Sequence, residues 1–215
     1  MRIAIPKGRL QDRALGVFAD AGYSVPSEAD LSTRKLVFER GGIEWILVKD
    51  CDVPVYVEHG AADAGIAGLD QILEHECTAY QPVEFPFGHC RMMLIAAPGA
   101  PPLTKVATKY PRMTRRFLDN RAVRAEIVPL GGSVELAAVL NLTSHVVDLV
   151  ETGETVRVHK LEMQEVVAEI SPRLIVGKTF YRTEPKTVRE LIARIEEAVV
   201  SPRAWEQRSA PVELP

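Results

Sequence analysis

Residues 83–98, VEFPFGHCRMMLIAAP, constrain the fold of this chain more than any other stretch. The run is long and apolar, and Pro86 and Gly88 break it. It reads as a crossover from one folded lobe to a second. A later apolar run, residues 166–176, is interrupted at Ser171-Pro172 and reads as the strand that returns to the first lobe. The expected organisation is therefore lobe I over residues 1–88, lobe II over 89–170, and a return to lobe I with a C-terminal helix and tail over 171–215. Two lobes joined by two crossovers leave a cleft, and a ligand that bridges it can close them like a hinge.

The first lobe opens as an α/β unit. Residues 2–5 form a β-type run that stops at Pro6. Lys7-Gly8-Arg9 follows, then a helix with Leu10, Ala14, Val17, Phe18 and Ala21 on one stripe and Gly22 as its C-cap. Lys7 and Arg9 thus lie between a strand's carboxyl end and a helix, where open α/β sheets bind ligands. Two solvated surface cations are the alternative reading. Residues 35–39 and 43–48 read as a hairpin around Gly41-Gly42, with Arg34 and Lys49 at its outer ends. Asp52 as N-cap and Pro54 in the first turn begin the next helix, which ends near Gly60. A strand over 63–67 and a helix over 70–75 complete this part. Beyond the crossover come a strand over 105–109, a proline-initiated helix over 111–120 and a strand over 125–130. Gly131-Gly132-Ser133 then leads into a helix from Val134. The last clear helix spans 187–199, and the tail from Ser201 is expected to fray.

Residues 146–155, VVDLVETGET, carry the most chemistry. The apolar start reads as a short buried strand or the tail of a helix. Gly153 lets the chain turn tightly and lets a ligand approach the backbone. The hydroxyls of Thr152 and Thr155, with backbone N–H groups such as that of Glu154, can converge on one anion. Asp148 precedes the turn, where a carboxylate can accept hydrogen bonds from sugar hydroxyls. An acid followed by Thr-Gly-x-Thr therefore suits a ribose 5-phosphate, and the side chains of Glu151 and Glu154 are expected to point outward. An ordinary polar turn is the alternative. Gly131-Gly132-Ser133 is a second place for an anion at a helix start. Glu135 suits a first helical turn whatever its function.

Composition narrows the partners. A net charge of −3 without a basic block argues against nucleic acid. No uninterrupted apolar run has the length of a membrane span, and the start MRIAIPKGRLQDR turns basic too soon for a signal peptide. Cys51, Cys77 and Cys90 are odd in number and scattered, which points to reduced thiols in a cytoplasmic protein. The histidines show no metal-ligand spacing, so no side chain is assigned to a metal.

Several segments together resemble one family. IAIPKGRL, TRKLVFE, DVPVYVEHGAADAGIAGLD, VATKYPRMTRRF, LGGSVELA and VVDLVETGET are similar to the ATP phosphoribosyltransferases, in the same order, up to about Arg194. The DVPxYVExGxxDxGIxG pattern in tandem with a TGxT loop is specific. The resemblance implies an α/β, two-lobed, periplasmic-binding-protein-like (type II) fold with a cleft between lobes. It implies transfer of phosphoribosyl from phosphoribosyl pyrophosphate to N1 of ATP, with release of pyrophosphate, as the first step of histidine biosynthesis. Magnesium, Mg2+, is implied as a substrate-bound cofactor. The chain ends soon after the last lobe I helix and so resembles the family's short form. That form implies a homodimer core in a hetero-oligomer with a regulatory subunit resembling histidyl-tRNA synthetase.

Carried over by position, Asp148 and Thr152, Gly153, Glu154 and Thr155 match the loop that holds the ribose 5-phosphate. Glu135 joins Asp148 as a candidate for the ribose hydroxyls or magnesium. Arg34 and Lys49 match basic positions that face the pyrophosphate and ATP phosphates, with Lys7 and Arg9 as further cations. The family usually has arginine where Lys49 stands, so the charge is kept and the bidentate fork is lost. It tends to have proline, glycine and an acid at Ala138, Asn141 and Ser144, and an Asn-Gly pair at His159-Lys160. A two-lobed small-molecule binding module and a phosphoribosyltransferase with another acceptor are the alternatives to this activity.

Overall fold

The computed structural model describes residues 1–200, so the expected tail from Ser201 lies outside the described residues. Close contacts divide the chain into Met1–Gly88 with the stretch from Pro172 onward, and His89–Ser171. The first unit opens with β1 (Arg2–Pro6), α1 (Gln11–Asp20), α2 (Glu28–Leu31), β2 (Val37–Arg40), β3 (Ile43–Val48), α3 (Val53–Glu58), β4 (Ala64–Gly68), α4 (Leu69–Glu74) and β5 (Tyr80–Glu84). The second unit holds β6 (Cys90–Ala96), β7 (Lys105–Thr108), α5 (Pro111–Asn120), β8 (Glu126–Pro129), α6 (Glu135–Val139), β9 (His145–Val150), α7 (Glu154–Val158) and β10 (Glu162–Ile170). The chain re-enters the first unit with β11 (Pro172–Val176), α8 (Lys178–Thr183) and α9 (Pro185–Val200).

The first sheet has the order β2-β3-β1-β4-β11-β5. Strands β3, β1 and β4 run parallel, and β2 and β11 run against them. Its central strands are apolar throughout because both faces are covered. Ile3 and Ile5 of β1 and Trp45 of β3 enter one core with Phe18 of α1 and Leu191 and Ile195 of α9. Ala4, Ile46 and Val48 alternate onto the opposite face, against Val53 and Val57 of α3. The Trp45 indole N–H finds the Ser24 carbonyl at 3.1 Å, so this buried side chain leaves no donor unmet. The predicted hairpin is present: Arg40 pairs with Ile43, and Gly41 and Gly42 have φ of 57° and 74°. Two central residues with positive φ make the turn that matches strand twist.

The second sheet has the order β10-β6-β9-β7-β8. Strands β9, β7 and β8 are parallel, while β6 and β10 are antiparallel additions. Met93, Ile95, Ala107, Val146 and Val150 line one face, packed against Val134, Ala137 and Ala138 around α6 and Val156 of α7.

Four sequence expectations change. The 83–98 run is mostly strand: β5 ends at Glu84 and β6 starts at Cys90, so only residues 85–89 link the units. Phe85 and Phe87 stay in the first core, stacked at 5.3 Å. The run 166–176 is two strands in two sheets. β10 ends where Ile170 pairs with Cys90, and β11 starts where Pro172 pairs with Gly68. Proline has no N–H to extend the first ladder, which fits its place as the first residue of the second. Asp52 occupies the N-cap position of α3 but makes no capping bond. The chain arrives from a 3-10 turn over Asp50–Asp52, and the Asp52 carboxylate accepts from the Cys51 thiol at 3.6 Å instead. Finally, α2 was not anticipated, although Ser27 and Asp30 cap it reciprocally: each side chain accepts from the other's backbone N–H.

Candidate active site

In the second unit the chemistry gathers where β7, β8 and β9 end. These strands are parallel, so the turns after them lie at one edge of the sheet, where α/β folds place ligands. The turn after β9 is Glu151-Thr152-Gly153. Gly153 has φ 79° and ψ 5° and stands immediately before α7. A Cβ there would meet nothing nearer than Met163 at 3.8 Å and Val150 at 3.9 Å. The left-handed backbone, and not lack of room, is what calls for glycine. The Thr152 hydroxyl accepts from the Glu154 N–H at 3.4 Å, so it sits over the first N–H groups of α7. Thr152, Glu154 and Thr155 are all exposed. Glu151 is exposed too, and the Glu154 carboxylate reaches back toward Arg157 at 3.9 Å.

Asp148 is half-buried near the end of β9, and the Leu149 N–H donates to its Oδ1 at 2.8 Å. Burial pushes its carboxyl above the ordinary carboxylate range, the Leu149 hydrogen bond opposes this, nearby Glu135 adds to it, and Lys109 pulls the other way. Glu135 is the first residue of α6 and follows the Gly131-Gly132-Ser133 turn. Asp148, Glu135 and the 152–155 turn therefore share one edge of one sheet. Lys109, which stands between β7 and the proline-initiated α5, lies at the same edge.

The first unit gathers cations in the same way. Lys7 follows β1 and Lys49 follows β3; Pro6 pairs with Val48, and the Lys7 N–H donates to the Val48 carbonyl at 2.8 Å. β2 runs in the opposite direction, and the Leu47 N–H reaches the Leu36 carbonyl at 2.8 Å. Arg34, just before β2, is thereby brought to the edge where β1 and β3 end. Arg9 stands in the turn that leads to α1. All four side chains are exposed. A cavity of about 320 Å³ opens at the other end of this sheet, lined in part by Arg2, Glu58, Asp63 and Lys178. Its ionic groups serve the fold: Arg2 binds the Gly60 carbonyl and Asp63, and Glu58 takes both donors of Thr78. None of the expected site residues lines it.

The family model described as HisG: ATP phosphoribosyltransferase matches residues 49–197. The chain belongs to the ATP phosphoribosyltransferase family. A relative named ATP phosphoribosyltransferase from Deinococcus radiodurans is 42% identical over 198 residues, covering 92% of this chain and 90% of that protein. The solved ATP phosphoribosyl transferase (HisG:HisZ) complex from Thermotoga maritima contains a chain 32% identical, with a TM-score of 0.83, covering 94% of this chain and 99% of that one. The periplasmic aliphatic sulphonate binding protein SsuA from Escherichia coli matches with a TM-score of 0.59 at 15% identity, covering 97% of this chain and 74% of that one. That likeness concerns fold alone. The fold is the α/β two-lobed type II periplasmic-binding-protein class.

Two departures from the ATP phosphoribosyltransferase pattern acquire a structural meaning. Asn141, where the family tends to have glycine, has φ 57° and closes α6, with the Leu142 N–H on the Ala137 carbonyl at 2.8 Å. Asparagine is the residue after glycine that best tolerates this conformation. Lys160 has φ 54° and closes α7 in the same way, with the Leu161 N–H on the Val156 carbonyl at 2.9 Å. Lysine has no such tolerance, so this helix end is strained. Ala138 is buried in the α6 core, and the Ser144 hydroxyl meets His145 Nδ1 at 2.9 Å. No helix of the described residues is long and apolar enough to cross a membrane.

Proposed function

We propose that the chain transfers the 5-phosphoribosyl group of phosphoribosyl pyrophosphate to N1 of ATP and releases pyrophosphate, as the first step of histidine biosynthesis. The observation that carries this is the Asp148 and Thr152-Gly153-Glu154-Thr155 edge in a member of the ATP phosphoribosyltransferase family. Thr152 and Thr155 hold the 5-phosphate through their hydroxyls and the N–H groups of the turn. The carboxylates of Asp148 and Glu135 take the ribose hydroxyls. Lys49 and Arg34, with Lys7 and Arg9, take the diphosphate. In the reaction the N1 lone pair forms the bond to ribose C1 as the C1–O bond to diphosphate breaks. The leaving oxygen keeps the electron pair. N1 is unprotonated at neutral pH, so attack needs no strong general base. The demand falls on charge at the leaving oxygens, where losing one well-placed donor costs on the order of 10²–10³ in rate.

Magnesium enters with the substrate. Among the described residues no group of three or more His, Cys, Asp or Glu side chains could hold a metal ion. In this reading the ion is carried on the substrate's phosphate oxygens, as Mg2+ at phosphate sites commonly is. The Thermotoga maritima chain is solved in a HisG:HisZ complex, which supports a regulatory subunit and a mixed oligomer for this chain. In this reading the protein works in the cytoplasm, with Cys51, Cys77 and Cys90 as free thiols.

The test is calorimetric binding of phosphoribosyl pyrophosphate to wild type and to Thr152→Val/Thr155→Val. Hydrogen bonds to a charged group contribute about 1.5–3 kcal/mol each, so affinity should fall by about tenfold or more. Unchanged affinity removes the assignment. Pyrophosphate release with ATP, assayed with and without a HisZ-type subunit, tests the reaction. Release that depends on a different acceptor would reassign the second substrate.

A further inference from the structure

We propose that Thr108 is a positioning residue for this site: its buried hydroxyl bridges β7 and β9 where the two strands part, and so sets the backbone from which Asp148 presents its carboxylate to the ribose. The inference rests on the reading of Asp148 given above.

The strands part at one place. Val106, Ala107 and Thr108 pair with His145, Val146 and Val147, and β7 ends there. β9 runs on through Asp148, Leu149 and Val150, which pair on their other side with Met93, Met92 and Arg91 of β6. From β7 the chain goes to β8 on one flank and then returns to β9 on the other, so the sheet order reverses between β7 and β9. Open α/β sheets bind ligands in the crevice at such a switch point. Asp148 is the first residue of β9 beyond the last β7 pair.

A side chain holds the strands together at that point. The Thr108 hydroxyl donates to the Val147 carbonyl at 2.8 Å and accepts from the Tyr110 N–H at 2.9 Å. The Thr114 hydroxyl of α5 lies 3.3 Å from it, and both threonines are fully buried. The Val147 carbonyl and the Asp148 N–H belong to one planar peptide unit. Holding that carbonyl therefore fixes the plane that leads into Asp148. On the far side of the residue, Oδ1 accepts from the Leu149 N–H at 2.8 Å, which fixes the side chain. Thr108 itself does not face the ligand. Ala107 and Val146 enter one core, so alternation puts Asp148 on that face and Thr108 on the opposite one, toward Thr114. Its influence runs through the peptide. The hydroxyl must donate to a carbonyl and accept from an N–H at once; serine can do both, and valine has the shape of threonine with neither role.

The experiment is a double-mutant cycle on the full chain. Calorimetry reads the affinity for phosphoribosyl pyrophosphate of Thr108→Val, Thr108→Ser and Thr108→Cys, each with Asp148 intact and with Asp148→Ala. Urea unfolding reads the stability of each. With Asp148 intact, Thr108→Val should weaken binding toward the roughly tenfold loss that follows removal of a charged hydrogen bond. Thr108→Ser should bind like wild type, and Thr108→Cys, a weaker donor, should fall between. With Asp148→Ala there is no carboxylate left to position, so Thr108→Val should cost stability but no further affinity. Equal losses of affinity in both backgrounds would mark a general effect on the fold and overturn the proposal, as would unchanged affinity in a folded Thr108→Val chain. Should Thr108→Val not fold, Thr108→Cys carries the same comparison. Asp148→Ala binding as tightly as wild type would sink the ribose reading itself, which the Thr108 series with Asp148 intact does not test.

Discussion

Asp148→Asn should make the second unit more stable at neutral pH while it weakens donor binding. The carboxyl is held above its ordinary range, chiefly by burial. For such a group the stability contribution is fully present below the unfolded value of about 3.9. It is lost as pH rises through the higher native value. At neutral pH the folded chain therefore carries a charge it would shed if it could. Asparagine keeps the shape and the oxygen that accepts the Leu149 N–H at 2.8 Å, so the substitution removes charge without orphaning a donor. It also ends the repulsion from Glu135. The gain should be about 0.5–2 kcal/mol, the usual yield of a stabilising change at a functional position. In a protein of this size that is a rise in Tm of about 1–8 °C. Thermal unfolding at pH 4.5, 6 and 7.5 reads it, and the advantage should be smaller at pH 4.5 than at pH 7.5. Calorimetry on the same variant should show affinity for phosphoribosyl pyrophosphate down about tenfold or more. A variant less stable than wild type at pH 7.5, or a difference independent of pH, refutes the account of Asp148.

Two further predictions use one backbone conformation with opposite signs. Gly153→Ala places a Cβ where φ is 79° but where the nearest atom beyond its chain neighbours is on Met163 at 3.8 Å, so the loss should be conformational: about 1–2 kcal/mol, less about 0.4–1 from a stiffer unfolded chain, read by urea unfolding. Lys160→Gly relieves φ 54° at the end of α7 and should stabilise by a comparable net amount in the same assay; a loss on this change would show the helix end to be unstrained.

Much of the fold was legible because the central strands of both sheets are short, apolar and punctuated. The proline-initiated helix at Pro111–Asn120 and the hairpin around Gly41-Gly42 follow from local rules alone. What local rules missed is what depends on partners. Residues 166–176 form one apolar run, and only pairing with β6 on one side and β4 on the other divides it between sheets. Asp52 has the right chemistry for a cap, but the preceding 3-10 turn fixes a helical backbone there. Thr152 to Thr155 were legible as a candidate site, since four adjacent residues make the turn. The place of Lys109 beside that edge was not. Its neighbour across the sheet is 39 positions away, and the Thr108 bond to Val147 that spans this distance has no sequence signature.

The same reasoning decides how far the Lys49 departure reaches. A lone arginine replaced by lysine would lose both its paired hydrogen bonds and its reach. Lys49 is not alone at its edge. The β1–β3 pairing sets Lys7 one strand away, and the reversed β2 brings Arg34 back beside the end of β3. Positive charge at that edge comes from three strands and from the Arg9 turn. All four side chains are exposed, so solvent screens each of them strongly, and the field is a sum in which no single member dominates. Exchanging one fork for a point charge changes the angle at which one oxygen is held and leaves that sum intact. In the proposed site the departure therefore bears on the orientation of the leaving group more than on its capture.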